Sequence, residues 1–162
     1  MRKILIFGNS GSGKSTLAKA LCDAEQLAHL DLDTLAWQAT QAPTRQPLQH
    51  SWQQIRRFID THQAWVIEGC YSDLLELVAE YSNEIIFMNL PIEDCIANAK
   101  ARPWEPHKYE SKEAQDNNLD MLISWIAQYS ERTDTFSKSS HQAFYDHYRG
   151  KKTVIIANQT QC

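Results

Sequence analysis

The stretch "IFGNSGSGKST", residues 6–16, decides how the rest of the chain is read. Gly8, Gly13, Lys14 and Ser15 fit the spacing G-x-x-x-x-G-K-[ST], with Gly11 inside it. Glycine and serine are poor core formers, yet here they follow the apolar run Lys3-Ile4-Leu5-Ile6-Phe7. They precede a helical pattern from Ser15 to Leu27 that offers Leu17, Leu21 and Leu27 to one buried side. A short continuous apolar run is how a parallel strand covered on both faces reads. Strand, glycine loop and helix in that order predict an anion cradle. Backbone N–H groups from Gly8 through Asn9, Ser10, Gly11, Ser12 and Gly13 turn inward, Lys14 reaches terminal phosphates, and the Ser15 hydroxyl faces a magnesium ion. Thr16 and the first amides of the helix extend the same cradle.

Working outward, the 162 residues suffice for one sizeable core and predict a single domain over 1–162. A net charge of -4 and a pI near 5.8 argue against a broad nucleic-acid footprint, so no obligatory nucleic-acid partner is expected. The apolar start is interrupted by the glycine loop after a few residues, which supports neither a signal peptide nor a membrane span. Cys22, Cys70, Cys95 and Cys162 are scattered, as expected of reduced thiols in a cytoplasmic protein. The six histidines, His29 among them, form no close two-histidine metal pattern, so magnesium rather than structural zinc is expected. Further apolar runs at Leu30 to Asp33, Trp65 to Ile67, Ile85 to Leu90 and Thr153 to Ile156 alternate with helical or polar segments. That alternation predicts a three-layer α/β domain in which helices cover a mostly parallel sheet. Ligands of such sheets gather at the C-terminal ends of the strands, so residues that end these runs carry the most functional weight.

The second run ends in "HLDLDTLAW". Read as extended chain, Asp31 and Asp33 point the same way while Leu30 and Leu32 face a packing layer. Paired carboxylates suit a metal-bound water and an acceptor hydroxyl, and we expect Asp31 near the magnesium shell and Asp33 toward the acceptor. A polar strand end or helix N-cap is the plainer alternative. The third run, "WVIEGCY", places Glu68 and Gly69 at its exit, where Glu68 can orient water, bind an acceptor hydroxyl or cap a helix, and Gly69 allows close approach of substrate. Cys70 has no basic neighbour in sequence and reads as packing rather than nucleophile. Arg45, between Pro43 and Pro47, is a candidate for the acceptor site, and Trp37 for a ring wall or a cover on the sheet. Arg56 and Arg57 read as a solvated helix face.

Pro91 opens a helix that leads to "AKARPWEPHKYESKEAQDNN", where Lys100, Arg102, His107, Lys108 and Lys112 stand beside Trp104 and Tyr109. Cations, aromatics and interrupting prolines predict a closing cover around 102–116, with Arg102 as its preferred cation and a solvated interhelical loop as the plainer alternative. A helix is expected to resume at Asn117. After the last run, Asn158, Gln159 and Thr160 are candidates for contact with an adenine edge, with a frayed terminus as the equal alternative.

Through "GNSGSGKST", "LDLDTLAW", "WVIEGCY", "IIFMNLP" and "RPWEPHKY", the chain resembles small P-loop kinases of the adenylate kinase and shikimate kinase superfamily. Within it, the likeness is to topology-modulation-like or adenylate-kinase-related proteins. The resemblance implies the three-layer P-loop NTPase fold, with a five-stranded parallel sheet in order 2-3-1-4-5. It also implies an acceptor region after the second strand and a mobile lid after the fourth. It implies ATP with magnesium and phosphoryl transfer to a small-molecule hydroxyl or phosphate acceptor, with Lys14, Asp33 and Arg102 in the catalytic roles. Shikimate kinases carry a glycine-rich triplet where this chain has Glu68-Gly69-Cys70, which argues against shikimate as the acceptor. A nucleotide hydrolase used as a switch and a nucleotide-dependent regulatory module are the competing classes; no N-K-x-D segment supports a conventional GTPase.

Overall fold

The computed structural model describes residues 1–36, 45–106 and 109–158. The roles expected of Trp37, Pro43, His107, Lys108, Gln159 and Thr160 lie outside the described residues. In chain order the elements are β1 (Lys3–Gly8), α1 (Lys14–Glu25), β2 (Ala28–Asp31), α2 (Asp33–Ala36), α3 (Leu48–Thr61) and β3 (Trp65–Gly69). They continue with α4 (Ser72–Val78), a 3-10 turn at Ala79–Tyr81, β4 (Glu84–Met88), α5 (Ile92–Ala101), α6 (Lys112–Ala127), α7 (Lys138–His147) and β5 (Lys151–Ile155). The strands form one sheet in the order β2-β3-β1-β4-β5, and every neighbouring pair is parallel. This is the expected topology.

Alternation along the strands builds the two covering layers. Leu5, Phe7, Ile67, Ile85 and Phe87 face one cluster, closed by residues of α3, α4 and α7 such as Ile55, Leu74 and Phe144. Ile4, Ile6, Val66, Ile86 and Met88 face the other, closed by Ala18 of α1, Cys95 and Ala99 of α5 and Ile126 of α6. Strands β1, β3 and β4 are buried on both faces, which is why they read as continuous apolar runs. β5 is an edge strand whose side chains are mostly exposed. It begins at Lys151 rather than Thr153, because lysines on a sheet edge leave no apolar signature and deter further pairing.

Two other boundaries differ from expectation for physical reasons. β2 ends at Asp31, and Asp33 opens the short helix α2, so the two aspartates do not alternate along one extended segment. The Asp31 carboxylate instead accepts the Asp33 backbone N–H at 2.9 Å, a local turn that competes with continuing the strand. Helix α6 starts at Lys112 rather than Asn117, because Ser111 caps it by accepting the Ala114 N–H at 3.0 Å, with Glu113 favourably placed in the first turn. The second part of the expected lid segment is therefore helical. No helix among the described residues is long and apolar enough to cross a membrane.

Candidate active site

Gly13 explains the loop's composition. It holds φ at 92°, in the left-handed region, at the N-cap of α1, and a Cβ there would come within 2.6 Å of Asn158 Nδ2. As a glycine it gives α1 no side-chain cap. The first amides of α1, together with the positive end of the helix dipole, favour an anion at that end. Three asparagines brace the loop, Asn9 from within it and Asn98 and Asn158 from outside. Asn9 Nδ2 donates to the Ile126 carbonyl at 3.2 Å, tying the loop to the end of α6. Asn98 Nδ2, on α5, donates to the Gly11 carbonyl at 2.8 Å and to Asn158 Oδ1 at 2.7 Å. Asn158 Nδ2 donates in turn to the Ser12 carbonyl at 3.1 Å, so its amide is committed to the loop itself. Lys14 Nζ lies along the loop and donates to the Asn9 carbonyl at 2.7 Å.

Ser10, Gly11, Gly13, Lys14, Ser15 and Thr16 line one wall of a cavity of about 590 Å³ at the C-terminal ends of the strands. Asp31, Asp33, Glu68, Gly69 and Arg102 line the same cavity, so the structure brings together most of the residues singled out from the sequence. Gly8, Asn9, Ser12, Arg45 and Asn158 stand behind or beside it rather than on its wall. A second concavity of about 640 Å³ lies between α4 and α7, at the starts of β4 and β5, and includes none of these residues.

Glu68 is the buried acid of the cavity, 2 % exposed at the end of β3. Ser15 Oγ donates to its Oε1 at 2.7 Å, and His29 Nε2 stands 3.3 Å from its Oε2. Gly69 is explained by packing: a Cβ would fall 2.9 Å from the Leu32 side chain, so the space next to it is filled by protein. On the far wall, Tyr71 donates its hydroxyl to Asp33 Oδ1. The Arg45 guanidinium sits 4.9 Å from the Tyr71 ring centre and 3.3 Å from Asp73 Oδ2. Arg102 terminates α5 and pairs with Glu105 at 3.1 Å. The chain after it is pinned by Gln115 of α6, which donates to the Pro103 carbonyl at 3.0 Å and accepts the Glu105 N–H at 2.8 Å.

Behind the β3 exit, His141 is fully buried. Its Nε2 donates to the Cys70 carbonyl at 2.8 Å, and its Nδ1 accepts from the Tyr129 hydroxyl at 2.7 Å. Desolvation lowers its pKa to about 4, so the ring is neutral, as this bonding requires. Desolvation likewise pushes the Cys70 thiol up to about 12 and Cys95 up to about 11, which leaves both as unreactive thiols.

Sequence reasoning missed His29, Tyr71 and Asn98. Their partners are distant in sequence, and the one local signal was that His29, two residues before Asp31, shares its face of β2. Among the described residues no three His, Cys, Asp or Glu side chains converge as a metal site. A cation held by one serine, a carboxylate and ligand phosphates needs no such cluster.

No family model matches the chain, and no curated protein matches it. Among solved structures the chain is similar to an unliganded sugar kinase from Janibacter sp. HTCC2649, at 14 % identity and a TM-score of 0.55, over 96 % of this chain and 85 % of that one. It is also similar to a shikimate kinase from Bacteroides thetaiotaomicron, at 17 % identity and a TM-score of 0.47, over 90 % of this chain and 97 % of that one. A deoxyadenosine kinase from M. mycoides with bound dATP gives 11 % identity and a TM-score of 0.48, over 95 % of this chain and 90 % of that one. At 14 % identity the likeness to the sugar kinase is one of fold.

Proposed function

We propose that the chain transfers the terminal phosphoryl group of ATP to a hydroxyl or phosphate oxygen of a small molecule. The observation that carries this reading is the single cavity with the phosphate-loop residues on one wall and Asp33 on the other. The donor set fits a polyphosphate and its cation. Gly13 gives α1 no side-chain cap, and Lys14 and Ser15 open on the cavity. Gly8 through Thr16 would hold the phosphates, and Ser15 and Asp31, with Glu68 against Ser15, would hold the magnesium ion. Magnesium bound to ATP neutralises charge on the phosphate oxygens and so makes the terminal phosphorus easier to attack.

Lys14 stabilises the negative charge that develops on the phosphates as the new O–P bond forms and the bridging O–P bond breaks. Asp33, held in place by Tyr71, orients the acceptor oxygen and accepts its proton when that oxygen is a hydroxyl. Arg45 stays behind this pair and sets the position of Tyr71, while Gly69 lets the β3 exit pack closely on Leu32 beside the acceptor. Asn158 holds the loop open next to the base. The segment 102–116 acts as a lid within the single domain, and Arg102 exchanges Glu105 for phosphate charge as it closes.

An ATP-consumption screen over nucleoside, sugar and small-alcohol acceptors, followed by mass measurement of products, tests the assignment. Acceptor-dependent ADP together with an acceptor heavier by one phosphoryl group is the expected result. ADP and inorganic phosphate released at the same rate with or without acceptor would make the chain a hydrolase. Nucleotide binding without either reaction would make it a regulatory module.

A further inference from the structure

A carboxylate removed from water needs hydrogen-bond partners on its oxygens, and Glu68 has one on each. Oε1 accepts from Ser15 Oγ, the motif serine, and Oε2 from His29 Nε2, which carries the proton because a carboxylate can only accept. The sheet register explains the second contact. β2 and β3 pair with Asp31 opposite Glu68 and His29 opposite Val66, so His29 stands one pleat back on the face that Glu68 shares. Carboxylates directly opposite on neighbouring strands repel, and a donor on the same face offsets that repulsion.

We infer that His29 is a positioning residue: by holding Oε2 it fixes the Glu68 carboxylate with Oε1 toward Ser15, so that serine and carboxylate are arranged in advance for one divalent cation. This rests on the reading of the loop as a magnesium–nucleotide site. Groups that orient a metal's ligands from behind act in this way on affinity without touching the metal. His29 has the access such a role needs, with its side chain 25 % exposed against 3 % for Glu68, so its loss removes a hydrogen bond with little loss of core.

The test is calorimetric titration of a nonhydrolysable ATP analogue into the full chain over a series of magnesium concentrations. His29→Ala should raise the half-saturating magnesium concentration roughly tenfold, the lower end of what loss of such a partner costs, and leave metal-free binding unchanged. His29→Asn, too short to place an N–H where Nε2 stands, should behave like the alanine variant and substitutes for it if that variant does not fold. His29→Gln, which reaches that position, should restore the wild-type requirement. In a Glu68→Gln background, His29→Ala should add nothing. Equal weakening with and without magnesium, the same defect in the glutamine variant, or additive effects with Glu68→Gln would each overturn the inference while leaving the nucleotide site standing. Absence of magnesium-dependent binding by the wild-type chain would overturn the site reading and this inference together.

Discussion

The two walls of the cavity are built in opposite ways. The wall we propose for phosphate is one contiguous piece of chain, β1, loop and start of α1, with Asn98 and Asn158 bracing its backbone from outside and Asn9 tying it to the end of α6 from within. The wall we propose for the acceptor rests on separate pieces: Asp33 on α2 lines the cavity, backed by Tyr71 after β3, Arg45 before α3 and Asp73 on α4, which are joined by a hydrogen bond, an ion pair and a cation–π contact. A cradle made of backbone is insensitive to most side-chain changes and recognises what many ligands share, whereas a wall made of side chains can change its ligand residue by residue. The division fits a reading in which the donor is generic and the acceptor specific.

The largest expected effect separates the walls. Asp33→Asn keeps size and much of the hydrogen bonding to Tyr71 but removes the proton acceptor. With the acceptor identified, kcat/KM should fall by about 10²- to 10⁴-fold while calorimetric ATP affinity holds. If ATP affinity falls and turnover per bound nucleotide does not, Asp33 belongs to the phosphate wall and the division between the walls is misdrawn.

A smaller effect concerns what supports the junction of the two walls. His141 binds no proton in the folded protein until about pH 4, whereas the unfolded chain protonates it near the ordinary 6.5. The unfolded state therefore gains protons first, and stability falls as pH drops from about 6.5 to 4, by roughly 3 kcal/mol from this group. Urea unfolding across that range should show the slope, and His141→Gln, which keeps a donor for the Cys70 carbonyl, should flatten it. An identical acid slope in the variant would remove His141 as its source.

The difference between the walls also explains what could be read from sequence. The glycine loop, the double-sided strands β1, β3 and β4, and the carboxylates Asp31, Asp33 and Glu68 were legible because each is signalled by its immediate neighbours. The pairings Ser15–Glu68, His29–Glu68 and Tyr71–Asp33 were not, since they depend on which strands are adjacent and in what register. Strand order followed from family resemblance rather than from hydrophobicity. β2 was misread because the Asp31 turn competes with strand continuation, a choice that a run of alternating leucines and aspartates does not reveal. The early start of α6 did have a signal, Ser111 before Glu113, but the charged residues around it show no apolar periodicity.

The smallest effect falls on the lid. Gln115→Ala removes the bonds to Pro103 and Glu105, and hydrogen exchange at the backbone amides of residues 104–105 should quicken several-fold, since a net hydrogen bond is worth about 1 kcal/mol. Magnesium with an ATP analogue should slow exchange there in the wild type. Unchanged exchange with nucleotide demonstrably bound would leave Arg102 a surface cation and confine the site to its two walls.

Calorimetry of magnesium and a nonhydrolysable ATP analogue, with the wild-type chain beside Lys14→Ala, tests the central claim most directly. The account predicts saturable, magnesium-dependent binding by the wild type that is largely lost in the variant, with unchanged circular dichroism showing that the fold persists. Equal binding by the two proteins, or none by the wild type, would contradict it.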